Sequence, residues 1–170
     1  MSESARPAYI TSLMSHFEDL RDGTHGGSAS RMDKEAHFEK AVELLAPIAR
    51  QVLIEMNASL LLDTGQITET GLRRTADGGL NASWALSWPE QRAVGVEPIV
   101  LQAHFGGGFH HPHLRGTTLG DWPLNVFSDE DATAQLSILR AIASSDLHNL
   151  VYRADYRIVP AVTASRASGG

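Results

Sequence analysis

Half of the eight histidines in this chain fall in one stretch, HFGGGFHHPHLRGTTLGDWPLNVF, running from His104 to Phe127. Imidazole titrates near neutral pH and ligates transition metals, so His104, His110, His111 and His113 are the first candidates for chemistry. Residues two apart on an extended segment point to one face, which lets His111 and His113 grip one ion, with His104, Asp121 or His148 as the third ligand. His104, His111 and His113 thus form a candidate site for a divalent transition metal, whether for binding or for metal-dependent catalysis. Carboxylate support is poor, because no glutamate follows before Glu130. The first expectation is therefore a protein without a stoichiometric metal cofactor.

The rest of the stretch narrows the chemistry further. Gly106-Gly107-Gly108 lacks the Lys-Ser/Thr of a phosphate-binding loop and is read as a place where the strand ends or another backbone comes close. Asp121-Trp122-Pro123 reads as a packed corner with a buried indole. No nucleophile elbow occurs. Cysteine is absent, which removes disulfides, thiolate metal sites and thiol nucleophiles. A net charge of −6 without any Lys/Arg block argues against nucleic acid and against a polybasic membrane patch. No basic leader or bilayer-length apolar run is apparent, so a cytoplasmic location is expected.

Something must position these residues, and the chain of 170 residues is read as one main domain, 31–160, preceded by a helix and flexible linker (1–30) and followed by a disordered tail (161–170). Ile10, Leu13, Met14, Phe17 and Leu20 have helical spacing and predict an amphipathic helix over about 7–21. The glycine-rich residues 24–30 predict the linker. Ser30 and Asp33 have capping-box spacing, and Phe38, Val42, Leu45, Ile48, Val52 and Met56 form a helical stripe that Pro47 should kink or divide. His16, His25 and His37, on or near these helices, are expected to be solvated. A strand is predicted from Ser59 to Ile67. A second has Leu80, Ala82, Trp84, Leu86 and Trp88 on one face, and a third runs from Pro98 to Phe105, so the three form an antiparallel meander. After an irregular His-rich crossing, Ser128 caps a helix to about Asp146, and a final strand is predicted around Tyr152–Ile158. The fold class is α+β, with helices on one side of the sheet.

The order helix, meander, His-Pro tripeptide, Gly-x-x-Leu-Gly corner and helix resembles the ubiquitin-conjugating-enzyme (UBC-like) fold, and the tripeptide resembles its bacterial His-Pro-His type. The matching residues are His111-Pro112-His113, Gly116, Thr118 and Leu119-Gly120, within a span from about Asp33 to Asp146. The helix at 8–21 and the strand at 150–159 depart from the pattern. The resemblance places Thr118 where the family has its reactive cysteine, and a threonine hydroxyl does not carry a thioester. It implies a non-catalytic module or adaptor that binds another protein, with a ubiquitin-like modifier as the partner it suggests. The binding candidates are His111, His113, Arg115, Thr118, Leu119 and Trp122. The His-x-His spacing also resembles the cupin signature, whose following Glu and second motif are missing here.

Overall fold

The computed structural model describes residues 5–167. Helix α1 (Ala8–Asp22) ends at Gly23 and is followed by α2 (Arg31–Leu60), which opens with the Ser30 side chain accepting from the Asp33 amide. Pro47 does not divide α2, which continues for 30 residues. The helix also runs past the predicted strand start at Ser59. Leu62 and Asp63 then take left-handed backbone angles, and Asn57 accepts the Gly65 amide, so the chain turns before a strand can form. Leu61 is fully buried while Leu62 is exposed.

The sheet consists of β1 (Gln66–Glu69), β2 (Arg73–Arg74), β3 (Leu80–Ser87), β4 (Ile99–Phe105), β5 (His113–Gly116) and β6 (Trp122–Pro123), all paired antiparallel. A short helix, α3 (Pro89–Val94), joins β3 to β4. The clean alternation in β3 is realised: Leu80, Ala82, Trp84, Leu86 and the following Trp88 are buried, and the residues between them are partly exposed. Across the ladder, Trp84 faces Leu101 and Ala82 faces Ala103. These residues pack with Phe38, Val42 and Leu45 of α2 and with Leu139, Ala143 and Leu147 of α5 (Leu136–Arg153) in one core. Helix α4 (Asp129–Ala134) precedes α5 and is capped by Ser128, as its spacing predicts.

Two corrections concern the second half of the chain. The crossing is not wholly irregular, since β5 and β6 extend the sheet within it. The predicted final strand does not form: α5 continues to Arg153, a 3₁₀ turn covers Tyr156–Ile158, and α6 spans Pro160–Ala167 where fraying was expected. Alternation of tyrosines with charges misled here, because Tyr152 points to solvent at 87% exposure. The segment's buried residues instead serve the core: Ile158 packs there, and its carbonyl accepts the Trp88 indole N–H at 2.6 Å. Among the described residues no helix is long and apolar enough to cross a membrane.

Helix α1 also inverts its expected orientation. Its apolar stripe is largely exposed at Met14, Phe17 and Leu20, whereas His16 is buried and Asp19 half-buried on the inner side. Hydrophobic burial therefore does little to seat this helix.

The core prediction is direct. Trp84→Ala removes a side chain that is 3% exposed and should cost about 3–5 kcal/mol of unfolding free energy. Denaturant unfolding checks it; a variant as stable as wild type would contradict this packing.

Candidate functional site

The histidines that sequence reading left on the surface are part of the cluster at the centre of the molecule's chemistry. His25 is 1% exposed, and it is held by a two-residue hairpin in which His25 and Ser28 exchange backbone hydrogen bonds. Gly26 and Gly27 between them have φ of 60° and 77°, the pair of positive angles that a type I′ turn requires. A Cβ on Gly26 would meet the Phe127 ring at 2.6 Å. The presumed flexible linker is thus a tight clamp, and the sequence signal for it was the Gly-Gly pair between His25 and Ser28. His37 is half-buried and pairs with Ser28 Oγ at 3.1 Å.

The His-Pro-His segment supplies the opposite wall. His111 is 2% exposed, and its Nδ1–H donates to the Pro112 carbonyl at 2.9 Å. A carbonyl can only accept, so in the neutral ring the lone pair is on Nε2. That nitrogen lies 3.0 Å from His25 Nδ1 and 3.3 Å from Asp19 Oδ2. The three ligand atoms of Asp19, His25 and His111 all lie within 4.8 Å of one another. Asp19 is itself oriented, because Thr24 Oγ1 donates to its other oxygen at 2.9 Å. His16 stacks edge-on to His111 at 4.5 Å, and its Nδ1 is buried without a hydrogen-bond partner.

The predicted trio His104, His111 and His113 is only partly assembled. Antiparallel register sets His113 opposite His104, with ring centroids 5.9 Å apart. His104 Nε2 is engaged by Asp121 at 2.7 Å rather than by a point shared with His111. His110 is exposed and contributes its carbonyl to the buried Lys34 ammonium, while His148 is exposed beside Asn149. Sequence reading therefore found His111 and missed Asp19, His25 and His16, which belong to elements 80 to 100 residues away in the chain.

Thr118, the residue at the reactive-cysteine position of the resemblance, is held by α5. Its hydroxyl donates to Asp146 at 2.6 Å and accepts from Asn149 at 2.8 Å. Asp146 is fully buried and also accepts the Thr117 and Thr118 amides. Gly116 allows this approach, since a Cβ there would stand 2.6 Å from the carboxylate. Leu119 is half-buried, Arg115 is exposed and donates to Gln102, and Trp122 is half-buried with its indole N–H buried and unpaired.

Burial sets the charge state of the cluster. Desolvation pushes His25 down to about 3, with further repulsion from His111, His37 and the Lys34 ammonium. His16, His111 and His113 are also lowered, each chiefly by desolvation. These four imidazoles are neutral at pH 7, the state in which they ligate metals.

No protein family, no curated protein and no solved structure matches this chain. The geometry alone carries the functional reading.

The lowered histidines predict how stability depends on pH. A folded-state value below the unfolded one means that the unfolded chain binds more protons in acid. The contribution of His25 is therefore complete above its ordinary value of 6.5 and is lost as pH falls from there toward 3. Its slope in that window approaches about 1.4 kcal/mol per pH unit. Melting temperature measured from pH 7.5 to 4.5 should fall, and His25→Gln should flatten the fall.

Proposed function

We propose that this protein binds one divalent transition-metal ion, zinc by the chemistry of its donors, through Asp19 Oδ2, His25 Nδ1 and His111 Nε2. The observation that carries this reading is the approach of a half-buried carboxylate and two buried imidazole nitrogens to within 4.8 Å of one another while His111 Nδ1–H is committed to Pro112. Without a cation, His111 Nε2 accepts from His25 Nδ1–H at 3.0 Å, and the Asp19 carboxylate faces the same neutral nitrogen at 3.3 Å with no hydrogen to share. Zinc with bonds of about 2.0–2.1 Å in tetrahedral geometry separates its ligand atoms by about 3.3 Å. The two separations from His111 Nε2, 3.0 and 3.3 Å, are close to this value, and all three ligand atoms lie within 4.8 Å of one another.

Outer contacts of the kind metal sites use are present as well. His111 donates its second ring nitrogen to a backbone carbonyl, and Thr24 fixes Asp19. The unpartnered Nδ1 of His16 beside His111 makes that residue the candidate fourth ligand. The ion's role is to fasten α1 and the His25 hairpin to the His-Pro-His loop. That role accounts for a helix whose apolar stripe points outward and whose inner side offers His16 and Asp19.

Elemental analysis of gently purified protein should find about one equivalent of zinc or a similar ion per chain. Asp19→Asn and His25→Ala should lose it, whereas His104→Ala should retain it, which separates this ligand set from the His104/His111/His113 set. Protein that neither carries metal nor changes its melting temperature on adding zinc or chelator would refute the proposal.

A second reading keeps the UBC-like protein-binding module. It is supported by the arrangement around Leu119 and Trp122, which with Ile138 and Ile142 border an open cleft of about 270 Å³ near exposed Arg115. Thr118, tied to Asp146 and Asn149, acts in this reading as a brace for the contact loop. A ubiquitin-like modifier is the partner proposed. Pull-downs with wild type, Arg115→Ala and Leu119→Ala at matched stability should lose the partner in both variants; recovery of the same partner by all three would exclude this surface.

A further inference from the structure

A separate cleft of about 420 Å³ lies between α1, the strand-free segment before α4, and the α4–α5 junction. Its charged lining is of one sign, with Glu18, Asp19 and Asp131 and no lysine or arginine. Acidic side chains alone would mean little, but three polar atoms of lining residues are buried with no hydrogen-bond partner: Ser12 Oγ, Asn125 Oδ1 and Gln135 Oε1. Gln135 is only 7% exposed, so its oxygen is not compensated by bulk water. Asn125 has its amide nitrogen committed to the Ser12 carbonyl at 3.3 Å, which leaves the oxygen as its open end. Two of the three orphans are acceptors that cannot satisfy each other. The single hydroxyl hydrogen of Ser12 can serve at most one of them, so at least one acceptor calls for a donor from outside the chain.

We propose that this cleft binds a small organic cation, an alkyl ammonium or guanidinium compound of short-diamine size. Its charge sits among Glu18 and Asp131, and its N–H groups donate to the oxygens of Gln135 and Asn125. Phe127 also lines the cleft. An anion is disfavoured by Glu18 and Asp131, the two carboxylates that the metal reading leaves free. A neutral polyol could donate hydrogen bonds to the same oxygens but would gain nothing from the charge. The proposal rests on different atoms from the metal reading and does not require it; Asp19 is the one residue that touches both places.

The test is calorimetric titration of the protein as purified with 1,4-diaminobutane, with agmatine, and with 1,4-butanediol as the neutral isostere, at constant ionic strength. The two cations should bind and raise the melting temperature, while the diol should do neither. Glu18→Gln, a surface change that keeps shape, and Gln135→Leu, which removes the buried acceptor, should each weaken cation binding by about tenfold. Equal binding of the diol, no binding of either cation into the millimolar range, or affinities unchanged in the Glu18→Gln variant would overturn the proposal. The metal content of the same samples, measured in parallel, shows whether the two sites stand or fall separately.

Discussion

The buried carboxylate of Asp146 holds together the part of the molecule on which the rest of the site depends. It accepts the Thr117 amide, the Thr118 amide and the Thr118 hydroxyl, and it reaches them because Gly116 has no side chain to block it. These bonds tie the end of β5 to α5. With that end fixed, the pairing of Leu101 with Gly116 sets the register along β5 and brings His113 opposite His104. A slip of one residue would turn Leu114 out of the core and His113 into it. The place of His111, two residues before His113, follows from the same constraint.

Against this rigid wall the N-terminal elements are seated by polar groups. The inner side of α1 presents His16 and Asp19, and its methionine, phenylalanine and leucine side chains remain outside. The His25 hairpin is closed by its glycines and packs against the Phe127 and His37 rings. Such a seat is electrostatic in character and sensitive to protonation, because each imidazole was brought out of water in its neutral form. A bound cation would replace the His25–His111 hydrogen bond at this junction and neutralise the Asp19 carboxylate beside it.

The glycine run and the neighbouring turn show how close backbone contacts stabilise the opposite rim. A Cβ at Gly107 would lie 2.2 Å from the Asp77 carbonyl oxygen, while the Asp77 side chain accepts the Gly107 amide at 3.0 Å. Arg31 completes the arrangement by stacking on Phe105 and donating to the carbonyls of Phe105, Gly106 and Phe109. The loop that leads into His-Pro-His is therefore anchored to both the sheet and α2.

By itself the sequence determined the α+β class, the capped helix starts at Ser30 and Ser128, and the buried face of β3, because period and capping are local properties carried by neighbouring residues, but it did not show that the second helix divides at Gln135. It also marked His111 and the close-packed glycines. Local pattern could not tell a helix end from a strand at Leu60–Leu62, nor a strand from a helix end at Tyr152–Ile158, since both segments satisfy either period. Tertiary structure alone decided which side of α1 faces inward, and it alone joined Asp19, His25 and His111. Those three lie on a helix, a hairpin and a loop far apart in the chain, and the distance between their ligand atoms is set by packing that no local spacing records.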